Sequence, residues 1–292
     1  FVHDANKRFD SNREIKRKKL WENVKIFSSE LVNFFKSSKT EEESDKMAVK
    51  WYKKAADQGC LKAQFNLGVI DKNKQGVEID GATEANRYIV ELVNTHPDKL
   101  IGFCSVNPMW GRKAVDEIEA CHSMGLKGIG ELHPDTQNFD ITKLDILEPL
   151  MSCARRLDMP IVIHTSEPVG HEYNGKGNTT PGKVYKLISN FPENIIICAH
   201  IGGGLPFYGL MPEVKALLKN TYFDTAAMPY LYNKQVIPIA AQTIGAEHIL
   251  FGSDYPLLSQ SRVISDIKSS GLRDPELNKV LGANMSNLLG IT

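Results

Sequence analysis

Six short apolar runs alternate with amphipathic stretches in the part of the chain that follows residue 98. The runs are continuously apolar, which is typical of strands buried on both faces of a sheet. This alternation predicts parallel strands covered by helices, and six such units in series favour a (β/α) barrel over an open sheet. The predicted strands are LIGFCSV (100–106), LKGIGEL (126–132), PIVIHT (160–165), NIIICAH (194–200), TYFDTA (221–226) and HILFGSD (248–254).

The stretches between these strands place apolar residues at the spacing of one helix face. Each predicted strand is therefore followed by at least one predicted helix, as a barrel requires. The predicted helices cover residues 112–124, 144–157, 181–191, 211–220, 233–245, 261–271 and 275–290.

The chain before residue 98 has a different pattern and predicts an all-helical extension. Residues 1–46 are rich in charged and polar side chains and contain one predicted amphipathic helix. Residues 47–80 place small and aromatic residues at helical offsets, which predicts a helical hairpin. We therefore divide the chain into 1–46, 47–80 and a barrel domain at 81–292.

The stretch AVKWYKKAADQGCLKAQFNLG in the second segment resembles one unit of the Sel-one-like repeats. This resemblance implies a protein-interaction module, with a protein partner or self-association through the N-terminal helices. The alternative is a hairpin that only packs against the rest of the chain, because a single repeat is not stable alone.

Composition narrows the class of partner. The chain has 292 residues and a formal net charge of zero, which argues against nucleic acid or an anionic membrane as the main partner. No run approaches the roughly 18 uninterrupted apolar residues of a spanning helix. The five cysteines are an odd number and include no CxxC pair, which indicates reduced, buried thiols in a cytoplasmic protein.

Polar residues follow the predicted strands at the ends that a parallel barrel turns toward one face. A single histidine in such a place is more often a hydrogen-bonded structural residue, but several imidazoles and carboxylates together suit a zinc-like ion. We expect Asp224 to brace a neighbour, whereas Asp254, at the mouth of a buried strand, would need a cation. The residues at the strand ends are Glu131, His133, His164, His200, Asp224 and Asp254.

Five of these strand-end motifs occur together in an order that is characteristic of one family. PIVIHTSEP, ICAHIGGGLPF and HILFGSDYP, preceded by IGFCSVNP and GLKGIGELHP, resemble the amidohydrolase-related metal-dependent hydrolases over about residues 85–292. The subgroup that the sequence resembles is the one that includes aminocarboxymuconate-semialdehyde decarboxylase. The resemblance implies a (β/α)8 TIM-barrel-type fold, here incomplete with strands 3–8, and a divalent metal: zinc, with manganese or iron as alternatives.

The resemblance also implies roles for individual residues. His164 matches a metal-ligating histidine, and Asp254 matches an aspartate that binds the metal and acts as general base. His200 matches a histidine that is a second-metal ligand in some members and a proton shuttle in others. Glu131 matches a position where some relatives place a bridging glutamate.

Two glycine-containing loops follow the central strands. The loop 166–183 offers Glu167, His171 and Tyr173 as substrate contacts, although a plain surface loop fits the sequence equally well. The stretch GGGLPF (202–207) allows a close backbone approach to a ligand, or forms a simple turn.

The sequence favours a metal-dependent hydrolase of a small carboxylated or cyclic amide or ester substrate. One alternative is a metal-dependent non-oxidative decarboxylase. The other is a catalytically impaired barrel that acts as an interaction protein, because the HxH pair of the family's first strand does not occur in this sequence.

Overall fold

The computed structural model describes residues 79–291, with the exception of residues 174 and 256. The predictions for segment 1–46, and for nearly all of segment 47–80, therefore lie outside the described residues. The predicted barrel domain at 81–292 is described almost throughout.

Among the described residues, six parallel strands form one sheet in strict chain order. Every strand lies inside a run that the sequence predicts as a strand, so the sequence prediction of the sheet is confirmed. The three central strands pair in step, with Ile161 opposite Ile196 and Ile196 opposite Thr221, which brings their carboxyl ends to one edge. The strands are β1 (Phe103–Cys104), β2 (Gly128–Leu132), β3 (Ile161–Ile163), β4 (Ile196–Cys198), β5 (Thr221–Asp224) and β6 (Ile249–Leu250).

Helices follow the strands as predicted, and short 3-10 turns or a π-type turn join several of them. The alternation of parallel strands and helices is that of a TIM-barrel-type α/β fold. The α-helices are α1 (Ile79–Thr95), α2 (Arg112–Ser123), α3 (Pro134–Gln137), α4 (Leu144–Arg156), α5 (Pro181–Asn190), α6 (Pro212–Leu217), α7 (Met228–Leu231), α8 (Val236–Ile244), α9 (Gln260–Lys268), α10 (Asp274–Asn278) and α11 (Asn284–Leu288).

The core lies between the sheet and its helices. The inward side chains of the strands, among them Ile129, Ile161 and Phe223, are fully buried. The four cysteines in the part of the chain that the structure describes are buried free thiols, as the sequence indicates: Cys104, Cys121, Cys153 and Cys198. Within the described residues, no helix is both long enough and apolar enough to cross a bilayer.

Helix α1 was not among the predicted helices, and its buried face shows why. That face carries Ala82, Asn86 and Val90, so a polar residue interrupts the apolar period. The Asn86 amide donates to the Ser105 carbonyl at 3.0 Å and to Glu117 at 2.9 Å, and it accepts from the Ser105 N–H at 2.7 Å. These bonds join α1 to the end of β1 and to the buried carboxylate of α2.

Substitution of Asn86 by alanine should lower the free energy of unfolding by about 2–3 kcal/mol, because it leaves Glu117 and both polar groups of Ser105 short of partners. Urea denaturation measures this change. Asn94→Ala, on the exposed face of the same helix, is the matched control and should change stability little. Equal stability of the two variants would contradict the role given to Asn86.

Candidate metal centre

Three side chains meet at the carboxyl ends of β2, β3 and β4. Glu131, His164 and His200 each offer a ligand atom within 4.8 Å of the other two. The Glu131 Oε1 atom lies 2.8 Å from His164 Nδ1 and 4.0 Å from His200 Nε2. Among the described residues, this is the group of histidine, cysteine and acidic side chains that can hold a metal ion.

Glu131 owes its position to the glycine before it. The pairing of β2 with β3 shifts register between Ile129 and Leu132, and Gly130 adopts a φ of 120° there. A Cβ at Gly130 would lie 2.6 Å from the Val162 carbonyl oxygen. Only glycine therefore fits where β2 approaches β3 immediately before Glu131.

His164 is fixed by contacts on every side. Its backbone N–H donates to the Leu132 carbonyl at 2.8 Å, which aligns it with the end of β2. Its ring stacks on His133 with centroids 4.0 Å apart, and its Nε2 lies 3.4 Å from Ser166 Oγ. The contact between Nδ1 and the Glu131 carboxylate needs a shared proton, and a bound cation would take the place of that proton.

His200 presents one ring nitrogen to the centre because the other is occupied. Its Nδ1 lies 3.1 Å from the Ala226 carbonyl oxygen and donates to it. The Nε2 atom, on the side of Glu131, is left as an acceptor. Metal-binding histidines are oriented by the same arrangement, in which a carbonyl fixes the tautomer.

The backbone at His200 is strained. His200 and Ile201 have φ values of 57° and 53°, in the left-handed region that costs non-glycine residues about 1–3 kcal/mol each. The Asp224 carboxylate offsets part of this cost by accepting from the N–H groups of His200 and Ala226, each at 2.9 Å. Asp224 is thus a brace for its neighbours, as expected from the sequence.

The glycine turn after His200 packs on protein backbone. A Cβ at Gly203, whose φ is 59°, would clash with the Ser166 carbonyl. The close approach anticipated for GGGLPF is therefore an approach to the loop that follows His164. The turn locks the ends of β3 and β4 together, and this holds the two histidines at a fixed separation.

The electrostatic potential at the centre is negative. Burial lowers the pKa of His200, but the carboxylates of Glu131, Asp224 and Asp254 outweigh it, and the pKa lies above the ordinary 6.5. Burial, followed by the neighbouring His164, lowers the pKa of His133. A centre that raises the pKa of a buried histidine favours positive charge, including that of a metal ion.

His133 has a structural task. Its Nδ1 accepts from the Thr136 N–H at 3.3 Å and caps α3, while its Nε2 donates to the Gly175 carbonyl at 3.3 Å. Both ring nitrogens are thus used, although the ring lies against His164. His133 ties the loop after β3 to the end of β2.

Asp254 lies at the rim. It is exposed, has a φ of 55° and does not belong to the group of three. The sequence argued for a cation from the expectation that Asp254 is buried, and that expectation is therefore wrong. Its charge still acts on His200 and on Tyr173, so it lies within electrostatic range of both residues. Its role as ligand or general base stays a prediction.

The loop after His164 places its candidate residues differently. The Tyr173 hydroxyl donates to Glu167 Oε2 at 3.3 Å, and both residues are half-buried. His171 is exposed, with its ring 5.5 Å from that of Tyr173. Contact of these three residues with a substrate stays a prediction.

Two residues beside the centre were not predicted from the sequence. Ser166 lies two residues after His164, close to the end of β3. This position in the sequence is a signal that could have identified it as a residue beside the centre. Tyr232, which follows α7, lies next to Glu167, and its hydroxyl lies 3.6 Å from the position that a Cβ of Gly204 would take. The sequence around Tyr232 has no pattern that relates it to a strand end.

Comparison with known proteins decides the family. A model of the amidohydrolase family matches residues 42–291. The chain belongs to the amidohydrolase family. The matched range includes the segment that resembles a Sel-one-like repeat, and that resemblance stays a prediction.

Several relatives of this amidohydrolase are similar over most of their length. Gamma-resorcylate decarboxylase from Polaromonas sp. (strain JS666) is 22% identical over 248 residues, 71% of this chain and 75% of the relative. An amidohydrolase from Staphylococcus aureus superposes with a TM-score of 0.61 at 21% identity, covering 75% of this chain and 83% of that one.

A third relative was solved with ligands. Dihydroxybenzoic acid decarboxylase from Polaromonas sp. JS666, with bound manganese and the inhibitor 2-nitroresorcinol, superposes with a TM-score of 0.58 at 19% identity. The match covers 73% of this chain and 75% of that one. At these identities, the structural likeness shows the fold.

Metal content tests the three-residue group. His164→Ala and His200→Ala should each weaken manganese binding by more than the roughly 10- to 100-fold that loss of an outer hydrogen-bond partner costs. Because Asp254 lies outside the group of three, Asp254→Asn should keep the metal, and loss of metal in this variant would instead support the ligand role that the resemblance implies for Asp254. His122→Ala, on the exposed face of α2, is the control. Equilibrium dialysis with elemental analysis measures all four variants. Less than about a tenth of an equivalent bound to wild-type protein at saturating metal would refute a functional centre.

Acidity should release the metal in a defined direction. Because the pKa of His200 is raised above 6.5, the protonated ring competes with a metal at higher pH than an ordinary histidine would. Metal affinity should be highest above that raised pKa and fall as pH decreases through it. Titration of bound manganese against pH measures the change, and pH-independent binding down to pH ~5, below the ordinary histidine pKa, would contradict the ligand role of His200.

Proposed function

We propose that the protein is a metal-dependent non-oxidative decarboxylase of a hydroxylated aromatic acid. The group of Glu131, His164 and His200 at the strand ends carries this proposal, because it combines a divalent-metal donor set with a fold shared with decarboxylases. The named activity of the curated relative and that of the manganese-bound structure are both decarboxylations. On the sequence alone, decarboxylation was an alternative to hydrolysis, and these relatives favour it.

The donor set fits a divalent ion. Two imidazoles and one carboxylate suit manganese, zinc or iron, and the hydrogen bond from His200 to Ala226 leaves a ring nitrogen free to coordinate. Manganese is the first choice, because the dihydroxybenzoic acid decarboxylase contains it. Held by Glu131, His164 and His200, a divalent ion would supply Lewis-acid catalysis at this end of the sheet.

The remaining residues supply orientation and a proton. Loss of carbon dioxide leaves an electron pair on the ring carbon, and a proton must reach that carbon to complete the reaction. Asp254 is suited to this step, because it lies at the exposed rim and its charge acts on His200. Its carboxyl group can take a proton from solvent and deliver it to the ring. His200, if it is not coordinated, is the second candidate for the same proton transfer.

Hydrolysis uses the same residues with water as the reactant. Asp254 would then remove a proton from the attacking water, and the substrate would be a small amide or ester. The name of the family and that of the Staphylococcus aureus relative support this second function. The two reactions differ in their products, so one assay separates them.

Carbon dioxide release tests the proposal. Manganese-loaded protein incubated with hydroxylated benzoates should release carbon dioxide in amounts equal to the decarboxylated phenol, measured by a coupled assay and by chromatography. Asp254→Asn should lower kcat/KM by about 100-fold or more while keeping its metal, because proton transfer contributes that much. His122→Ala should retain full activity.

Release of an alcohol or amine from cyclic amides or esters, with no carbon dioxide from any aromatic acid, would refute decarboxylation and support hydrolysis. Absence of both reactions in metal-loaded protein would favour the impaired barrel that acts through protein contacts.

A further inference from the structure

A carboxylate with one unused oxygen lies close to the candidate metal centre. Glu167 follows His164 by three residues, and its Oε2 accepts a hydrogen bond from the Tyr173 hydroxyl at 3.3 Å. Its Oε1 is buried and has no hydrogen-bond partner among the described residues. A buried charged oxygen without a donor is unfavourable, so this atom has an unmet need for a hydrogen bond.

Two tyrosines frame this carboxylate. Burial, together with Glu167, raises the pKa of Tyr173 to about 12. Burial, the charge of Glu167 and a hydrogen bond to the Glu167 carboxylate also raise the pKa of Tyr232, whereas Oε1 itself has no partner among the described residues. Both phenols therefore stay protonated at neutral pH, and they surround Glu167 with rings and neutral hydroxyl groups.

The same three residues are connected to the metal centre. Ser166, adjacent to Glu167, places its Oγ 3.4 Å from His164 Nε2. The Tyr232 hydroxyl comes within 3.6 Å of the position that a Cβ of Gly204 would take, on the turn that follows His200. The charge of Asp254 acts on both His200 and Tyr173. Glu167 and the metal-binding group thus belong to one end of the sheet.

The loop that carries Glu167 is held in place by hydrogen bonds. The Ser166 N–H donates to the Thr179 carbonyl at 3.0 Å, and the Gly177 N–H donates to Ser166 Oγ at 3.0 Å. Farther along, the Asn178 N–H donates to Asp135 at 2.7 Å. These contacts fix Glu167 before any ligand arrives, which is what a selective hydrogen-bonding group requires.

We propose that Glu167 Oε1 accepts a hydrogen bond from a hydroxyl group of the substrate, so that the site selects aromatic acids carrying a ring hydroxyl that faces Glu167. This inference rests on the proposed function and names the group that determines its specificity. An anionic acceptor offers nothing to a methoxy group and repels a second carboxylate. A substrate lacking the hydroxyl would leave Oε1 unsatisfied, and sites of this kind discriminate strongly against such analogues.

Binding of ligands that cannot lose carbon dioxide tests this assignment separately from catalysis. The probes are 2-nitroresorcinol, 2-nitrophenol, which lacks one hydroxyl, and 3-methoxy-2-nitrophenol, which keeps the bulk but loses the donor. Isothermal titration calorimetry on the manganese-loaded full chain gives their dissociation constants. Wild-type protein should bind 2-nitroresorcinol about 10- to 100-fold more tightly than either analogue, as expected for a hydrogen bond to a charged group.

Two variants remove the acceptor in different ways. Glu167→Gln removes the charge and Glu167→Met removes both oxygens. Each variant should prefer 2-nitroresorcinol over the two analogues by less than about threefold, because the charged hydrogen bond is lost. Manganese content and melting temperature confirm that the variants fold. The matched control is Glu172→Gln, which changes an acidic residue of the same loop whose side chain is 88% exposed. Its preference should equal that of wild-type protein.

The outcomes separate the two claims. Equal binding of all three probes by wild-type protein, or an unchanged preference in both Glu167 variants, would overturn the assignment even if carbon dioxide is released from aromatic acids. A preference that depends on Glu167 without any carbon dioxide release would uphold the assignment and refute decarboxylation. Failure of the metal-loaded protein to bind any of the probes would overturn both.

Discussion

The contact between the Glu131 carboxylate and two buried imidazoles is the interaction on which the rest of the site depends. One carboxylate oxygen lies 2.8 Å from His164 and 4.0 Å from His200, with little solvent to screen the charge. Such an arrangement is stable only if a proton or a cation shares the space between the groups. The raised pKa of His200 expresses the same demand. A divalent ion would supply the positive charge that these groups require, and its ligands are already in place.

The fold maintains this arrangement at a cost in backbone strain. Gly130 lets β2 approach β3 just before Glu131, and Gly203 lets the turn after β4 touch the loop after β3. His200 itself adopts a left-handed conformation, which the Asp224 carboxylate supports by accepting two backbone hydrogen bonds. Strained residues that persist in this way occur mostly at functional sites, because the surrounding structure must determine them. Here the strain fixes the direction of the ligands.

The sequence predicts the sheet well, because each strand is a short apolar run and each intervening helix has a clear apolar face. Helix α1 escapes prediction because Asn86 occupies its buried face and binds Ser105 and Glu117. The strand-end rule also finds Glu131, His164 and His200, since parallel strands bring their carboxyl ends together. That rule fails to describe Asp254, which follows β6 by four residues and is exposed. The place of Tyr232 depends on the path of the chain after β5, which local sequence does not specify.

The central claim is that Glu131, His164 and His200 together bind one divalent ion. A crystal structure of the manganese-loaded protein, with anomalous diffraction recorded at the manganese edge, tests it most directly. We expect one strong anomalous peak that lies about 2 Å from a Glu131 carboxylate oxygen and about 2 Å from one ring nitrogen of each histidine. Saturating manganese with no peak at this end of the sheet, or a peak elsewhere with the Glu131–His164 hydrogen bond intact, would contradict the claim.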